Sequence, residues 1–157
     1  MLLQFRMFDK TGLVGMMRWN VAGIRILVVD DHAVVRSGLR KFLMVSRDLE
    51  SVGEATDKVQ AIQMAGAFKP DVILMDLMMP NMDGVMATQE IRQLHPCTQV
   101  LVLTSYSDAK LVHGALQAGA IGYIQKNVTA SELGHAIRSA HAGRMTLSPE
   151  AVKVIST

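Results

Sequence analysis

The sequence has little that would tie the protein to disulfides, membranes or nucleic acid. Cys97 is the only cysteine, which excludes an internal disulfide and a cysteine-based metal site, so we expect a reducing, cytoplasmic setting. Its apolar runs stay well short of the ~18 residues needed to span a membrane. Lys and Arg number 16 against 14 for Asp and Glu. That balance is too even to indicate a nucleic-acid or membrane surface by net charge alone.

The chain is long and apolar enough for one compact domain with a modest remainder. It has 157 residues, of which 50% are hydrophobic. The N-terminus starts apolar, but Arg6, Asp9 and Lys10 interrupt it before a signal-peptide core of ~7–15 residues can form. We therefore expect residues 1–23 to be an N-terminal extension, non-native or flexible, that precedes the domain.

From Ile24 onward, short apolar segments alternate with segments of helical periodicity. The apolar, β-branched runs predict strands buried on both faces, and the periodic segments predict helices between them. Five strands alternating with five helices imply an α/β fold with a parallel sheet and helices on both of its faces. The strands are predicted at Ile24–Val29, Leu49–Ala55, 71–76, Gln99–Thr104 and 120–125, and the helices near 34–43, at Lys58–Phe68, and at 85–94, 108–118 and 131–142.

Reactive side chains stand where the predicted strands end. Asp30 and Asp31 follow the first strand, Asp76 ends the third, Thr104 ends the fourth and Lys126 follows the fifth. Because ligands of open parallel sheets bind at the carboxyl ends of the strands, we expect these groups to meet at one edge. Three neighbouring carboxylates would repel one another unless a cation neutralised them. Oxygen ligands of this kind suit Mg²⁺.

This arrangement predicts phosphoryl chemistry. The Asp76 carboxylate can attack a phosphoryl group as a nucleophile and form an acyl phosphate. A cation and the Lys126 ammonium would offset the charge on the transferring group, and the Thr104 hydroxyl could donate a hydrogen bond to its oxygens. Each residue alone has an ordinary explanation, because Asp31 could simply cap a helix, Thr104 could favour a strand and Lys126 could be solvated. Their joint placement is the specific signal.

Four motifs resemble those of the receiver domains of bacterial two-component response regulators. They are VVDDH at 28–32, DLMMPNMDG at 76–84, LTSY at 103–106 and GYIQK at 122–126, and the resemblance covers roughly residues 24–143. It implies a doubly wound, flavodoxin-like sheet of five strands in the order 2-1-3-4-5. It also implies that a sensor histidine kinase phosphorylates Asp76, and that the chain catalyses only its own phosphorylation and dephosphorylation.

The resemblance also implies roles for the remaining site residues. Asp31 would bind Mg²⁺ or Mn²⁺ directly, Asp30 would support the ion through water, and the backbone carbonyl of Met78 would complete the protein ligands together with Asp76. Thr104 and Lys126 would bind the phosphoryl group. Tyr123 would be the aromatic switch, whereas Tyr106 would screen the site from water. Many receivers have proline after the lysine; here Asn127 follows, which puts a cis bond at that position in doubt.

Further segments are similar to the branch with LuxR-type (NarL-type) helix-turn-helix output domains. They are VDDHAVVRSGL, GYIQKNVTASEL and AGRMTLSPEAVKVI. In that branch the receiver controls transcription, so residues 144–157 would begin the linker to an absent DNA-binding domain. DNA would be contacted only through that domain. We expect a homodimer on phosphorylation, by analogy through the first and fifth helices, with the fourth helix, fifth strand and fifth helix as the alternative surface.

Three other functions stay open at this point. The chain could be a stand-alone receiver that acts through protein contacts. A phosphatase of the haloacid dehalogenase type needs a second Asp two residues after the nucleophile as acid/base, and position 78 is Met. A flavodoxin-like electron carrier shares the fold, but three carboxylates at the edge of the sheet would repel a flavin phosphate.

Overall fold

The computed structural model describes residues 23–79, 82–105 and 108–156. The predicted extension, apart from Gly23, lies outside the described residues. The strands of the main sheet are β1 (Ile24–Val29), β2 (Leu49–Ala55), β3 (Val72–Met75), β4 (Gln99–Thr104), β5 (Gly122–Gln125) and β6 (Thr146–Leu147). The helices are α1 (Ala33–Val45), α2 (Lys58–Phe68), α3 (Gly84–Leu94), α4 (Ala109–Gln117), α5 (Ala130–His141) and α6 (Pro149–Ile155). A two-stranded hairpin joins Met78–Met79 to Met82–Asp83.

Short polar residues set the starts of most helices. The side chains of Asp57, Asp83, Asp108 and Ser148 each accept a hydrogen bond from a backbone N–H in the first turn of α2, α3, α4 and α6. Thr129 and Glu132 form a reciprocal capping box at the start of α5. Gly143 has φ of 79° just beyond the end of α5, a conformation that favours glycine. The helix predicted at 131–142 thus ends at His141, shortly before this glycine.

The main sheet is parallel, and its strand order is 2-1-3-4-5-6 in the described residues. The first five positions match the predicted order. The prediction of five strands was one short, because β6 adds a sixth strand beside β5.

Helices cover both faces of this sheet. Residues alternate along β1, so that Ile26 and Val28 pack toward α1 and α5, whereas Leu27 and Val29 pack toward the other helices. The hydrophobic cluster around Ile26 and Val28 also includes Leu43 from α1 and Leu133, Ala136, Ile137 and Ala140 from α5. The cluster around Leu27 and Val29, on the opposite face, includes residues of α2, α3, α4 and α6. The doubly wound architecture is thus confirmed, and its carboxyl edge is left open between the helices.

The predicted linker residues pack onto the domain. β6 pairs with β5 through Gly122 and Thr146, and the Ser148 backbone N–H donates to the Tyr123 carbonyl at 2.8 Å. Ala151 of α6 is fully buried. Residues 146–155 therefore form part of the folded unit, and an output domain beyond them stays a prediction. None of the helices in the described segments is both long and apolar enough to cross a membrane.

Candidate functional site

The sheet brings the predicted site residues to one edge. Val29 pairs with Met75, so Asp30 and Asp76 follow neighbouring strands side by side. Their backbone N–H groups extend the ladder, with Asp30 donating to Ala55 and Asp76 to Val29, both at 3.0 Å. On the next pair of strands, the Lys126 N–H donates to the Thr104 carbonyl at 3.0 Å.

Lys126 joins the two buried carboxylates. Its Nζ lies 2.8 Å from Asp30 Oδ2 and 3.2 Å from Asp76 Oδ2. The two carboxylate side chains are only 4% and 3% exposed. Buried carboxylates are tolerated when they are paired and hydrogen-bonded, and one ammonium here serves both.

Burial and charge act in opposite directions on these groups. The pKa of Asp76 is raised chiefly by burial; the Lys126 ammonium opposes that rise, and the Asp30 carboxylate adds to it. Burial alone would lower the pKa of Lys126, but its hydrogen bond to Asp30 and the attraction of Asp76 outweigh burial and raise it. Lys126 is therefore held as a cation beside an Asp76 carboxylate whose own charge is disfavoured.

Asp31 and His32 complete an acidic cluster. His32 Nδ1 lies 2.9 Å from Asp30 Oδ1 and 3.1 Å from Asp31 Oδ1. Asp31 Oδ1 is buried and accepts no hydrogen bond from the described residues, because its approach to Nδ1 of His32 lacks the geometry of a hydrogen bond. Potential ligand atoms of Asp30, Asp31, His32 and Asp76 all lie within 4.8 Å of one another. An unsatisfied buried carboxylate oxygen among three carboxylates is a good fit for a divalent cation.

Thr104 and Tyr123 lie on the same face of the sheet. Tyr123 pairs with Val102, and Thr104 is two residues farther along the same strand, so both side chains point to the face that packs on α4. Both residues are fully buried. Burial, with added repulsion from Asp108 and Asp76, raises the pKa of Tyr123 to about 12. Tyr123 is thus a neutral phenol that lies inside the domain in this structure.

Comparison with known proteins identifies the family. A model of the response regulator receiver domain matches residues 26–138. This chain belongs to the response regulator receiver family.

The receiver has curated relatives of the predicted branch. It is 43% identical over 127 residues to the response regulator protein VraR of Staphylococcus epidermidis. The aligned region covers 81% of this chain and 61% of that relative. It is 43% identical over 134 residues to the transcriptional regulatory protein LiaR of Bacillus subtilis, covering 85% and 64%. The chain thus spans about three-fifths of the length of these relatives.

Solved structures show the same fold. A two-component response regulator of the LuxR family from Aurantimonas has a TM-score of 0.80 at 34% identity, covering 86% of this chain and 96% of that one. The signal receiver domain of the putative response regulator NarL from Mycobacterium tuberculosis has a TM-score of 0.75 at 35% identity, covering 78% and 99%. The predicted fold and the predicted resemblance to LuxR/NarL-type receivers are confirmed.

The structure explains why the motif after Asp76 has a glycine at position 84. A Cβ on Gly84 would lie 2.6 Å from Leu77 Cα and 2.8 Å from the Asp76 carbonyl oxygen, so only glycine fits there without moving the backbone. The Met78 N–H donates to Asp76 Oδ1 at 3.3 Å. The Met78 carbonyl as a metal ligand stays a prediction. Pro80 of the motif and Tyr106 lie outside the described residues.

Sequence reasoning missed residues that support the receiver site. An Arg36 guanidinium nitrogen donates to the Asp30 backbone carbonyl at 2.9 Å, and Arg36 also pairs with Glu54, which a second arginine, Arg40, holds at 2.6 Å. This network fixes the turn between β1 and α1. The basic face of α1 was the only feature of the sequence that pointed to this network. His32 was missed as part of the cluster, although its place directly after two carboxylates was the available signal. The Lys126–Asn127 bond is trans.

Proposed function

We propose that this receiver accepts a phosphoryl group on Asp76 from a sensor histidine kinase and thereby controls transcription through a LuxR-type output domain outside this chain. One observation carries the proposal. The buried Asp76 carboxylate lies 3.2 Å from the Lys126 ammonium, beside two further carboxylates that can bind a cation. A nucleophile, a fixed positive charge and a cation site thus share one edge of the sheet.

The chemistry follows from the positions of these groups. An Asp76 carboxylate oxygen would attack the phosphorus of the phosphodonor, forming the acyl phosphate as the bond to the donor's leaving group breaks. Lys126 would offset the negative charge of the phosphoryl oxygens, and the Thr104 hydroxyl would donate to them. Asp30, Asp31, Asp76 and the Met78 carbonyl would hold Mg²⁺ or Mn²⁺, which supplies charge neutralisation when bound.

We propose no turnover of external substrates, so the chain is not an enzyme in that sense. Phosphatases that use an aspartyl nucleophile need an acid/base carboxylate two residues later, and Met78 occupies that place. The receiver would catalyse only its own phosphorylation and dephosphorylation.

The phosphoryl group would be sensed through Thr104 and Tyr123. Thr104 ends β4 at the site, and Tyr123 lies on the same face of the neighbouring strand. A Thr104 hydroxyl drawn toward the phosphoryl oxygens would change the space beside Tyr123, and with it the contacts of α4 and β6. Such coupling can be no larger than the difference in contacts between the two states.

The transcriptional output rests on the relatives. LiaR is a transcriptional regulatory protein, and a LuxR-family response regulator shares the fold. DNA binding would lie in the absent domain, and phosphorylation would promote a homodimer through α1 and α5. An exposed free Cys97 fits a reducing cytoplasm. The alternative is a stand-alone receiver acting through protein contacts, and the gene sequence beyond Thr157 distinguishes the two.

The phosphorylation test uses a small phosphodonor with Mg²⁺ and intact-protein mass spectrometry. We expect the wild type to gain one phosphoryl group that hydroxylamine removes, as an acyl phosphate should. Asp76→Asn should gain none, and Asp48→Asn, an exposed aspartate before β2, should behave as the wild type. Equal phosphorylation of Asp76→Asn would refute the assignment.

A further inference from the structure

His32 lies close to two carboxylates of the candidate cation site. Its Nδ1 lies 2.9 Å from Asp30 Oδ1 and 3.1 Å from Asp31 Oδ1. With metal–ligand bonds of about 2.1 Å, neighbouring ligand atoms lie about 3.0–3.5 Å apart. The two distances from Nδ1 are therefore close to those between neighbouring ligands around one ion.

The carboxylate oxygens divide into two groups. Lys126 takes the Oδ2 atoms of Asp30 and Asp76. Asp30 Oδ1 faces His32 instead, and within the described part of the chain the buried Asp31 Oδ1 accepts no hydrogen bond. The charge on the His32 side of the cluster is thus left without a lysine or arginine partner among the described contacts, and a cation bound there would satisfy it.

We propose that His32 is a further ligand of this cation site, through Nδ1, and that it gives the site a preference for borderline ions such as Zn²⁺ and Co²⁺ over Mg²⁺. The inference rests on the proposed function, whose cation site it extends. Imidazole nitrogen suits Zn²⁺, whereas carboxylate and carbonyl oxygens suit Mg²⁺ and Mn²⁺. A receiver with this ligand would be open to competition by borderline ions at the site where Mg²⁺ supports phosphorylation.

The imidazole can take this role without leaving a polar group unsatisfied. Without an ion, an Nδ1–H donates to Asp30 Oδ1 at 2.9 Å. With an ion on Nδ1, the ring proton lies on Nε2, and the 58% exposed side chain lets that N–H donate to water. The backbone N–H of His32 continues to hold Asp30 Oδ1 at 2.8 Å.

The opposing explanation is that His32 only orients Asp30 by hydrogen bonding. His32→Asn separates the two, because an Asn amide nitrogen can donate from near the position of Nδ1 but cannot bind the ion as an imidazole does. Asn is also a favourable residue at the start of a helix, and His32 is the N-cap of α1. His113→Asn, at an exposed position of α4, is the matched control.

Pulsed electron paramagnetic resonance of bound Co²⁺, one of the ions that the proposal favours, reads the ligand directly. We expect nitrogen-14 coupling from an imidazole in the wild type and in His113→Asn, and its loss in His32→Asn. Because removal of an outer-shell partner already costs about 10–100-fold in affinity, calorimetry should show a fall of at least about tenfold for Zn²⁺ and Co²⁺ in His32→Asn. The affinity for Mg²⁺ should change much less.

Two outcomes would overturn the inference: a wild type without nitrogen coupling, or equal losses of Mg²⁺ and Zn²⁺ affinity in His32→Asn. Phosphorylation of the wild type in Mg²⁺ is measured separately. If Asp76 is phosphorylated and the nitrogen coupling is absent, only the role of His32 fails. If the coupling is present and depends on His32 but Asp76 takes no phosphoryl group, the proposed function fails and the cation site stands.

Discussion

The Asp76 carboxylate is held in surroundings that oppose its own charge. It is buried and Asp30 lies beside it, while the Lys126 ammonium and the hydrogen bond from the Met78 N–H compensate in part. The result is a pKa raised above the ordinary 3.8. Groups that are costly to ionise recur at functional sites, where stability is lost in exchange for reactivity. Asp48 shows the opposite case, since its hydrogen bond from Arg138 lowers its pKa.

We expect Asp76→Asn to raise the thermal stability of the protein at neutral pH in the absence of divalent cations. Because the folded-state pKa lies above the unfolded one, the folded state binds more protons between them, so stability falls as pH rises through that interval. Asn removes this cost, and Lys126 keeps Asp30 as its partner. Thermal unfolding followed by circular dichroism should show a midpoint higher by a few degrees.

The control for that prediction is Asp48→Asn. The lowered pKa of Asp48 means that its contribution is present above its unfolded pKa and is lost as pH falls through its folded pKa. At neutral pH this variant should be no more stable than the wild type. An Asp76→Asn midpoint at or below the wild-type value would show that ionised Asp76 costs the fold nothing.

At the scale of helices and strands, periodicity in the sequence was a good guide to long elements. The predicted bounds of β1, β2, β4 and α2 match the structure, because each is a continuous run of apolar or amphipathic residues with clear breaks. β6 was missed, since Thr146–Leu147 is too short to show a period and forms by pairing with β5. The start of α6 was readable in principle, because Ser148 followed by Pro149 is a helix-start signal.

The site, too, has residues whose positions the sequence predicts and residues whose positions depend on packing. The convergence of Asp30, Asp76 and Lys126 follows from their positions after the first, third and fifth strands, so sequence order was enough to predict it. The Arg36–Glu54 network depends on how α1 lies across β2, which no spacing along the chain encodes. The inward position of Tyr123 likewise depends on packing between β5 and α4.

We expect Gly122→Ala to weaken the attachment of β6 and α6. A Cβ at this position would lie 2.7 Å from the Thr146 carbonyl oxygen and 2.7 Å from Leu101 Cδ1. The leucine can shift, but the carbonyl belongs to the paired strand, so β6 must move. Overpacking of this kind costs about 1–3 kcal/mol. Hydrogen exchange should show faster loss of the Ser148 amide proton, which is bonded to the Tyr123 carbonyl.

Gly38→Ala is the matched control for Gly122→Ala. It lies within α1, and a Cβ there meets nothing within 4 Å. Replacing glycine by alanine inside a helix should stabilise by about 0.5–1 kcal/mol and leave Ser148 exchange unchanged. If Gly122→Ala unfolds at the wild-type temperature with Ser148 still protected, β6 is not held by this close approach.

At the scale of the whole molecule, the arrangement of α6 bears on how two receivers would meet. The surface of α4, β5 and α5 was one of two candidates for a dimer contact. In the structure, β6 pairs with the edge of β5 and α6 packs on α4. Part of that surface is thus covered by the chain itself. Leu133, Ile137 and Ala140 of α5 are also buried against the sheet, so they are not free for a partner.

The surface of α1 and the start of α5 stays open. Val34 of α1 is 85% exposed. Next to it, a groove of about 280 Å³ runs between the two helices, lined by apolar side chains that include Leu39, Phe42 and Val128. Exposed apolar residues beside an apolar groove favour a contact with another protein surface. We therefore expect phosphorylation-dependent dimers to form through α1 and α5.

Charge substitution on opposite faces of the sheet tests this expectation. Val34→Glu places a carboxylate on the α1 surface, whereas Val59→Glu places one on α2, at a position that is also exposed (63%) but lies on the other face. Sedimentation velocity with a beryllofluoride acyl-phosphate mimic should give dimers for the wild type and Val59→Glu. Val34→Glu should remain monomeric, because burying an unpaired carboxylate in a symmetric contact would place two like charges in one interface.

A wild type that stays monomeric with the mimic at high concentration would leave dimerisation to the output domain. Dimers of Val34→Glu as strong as those of the wild type would exclude the α1 surface.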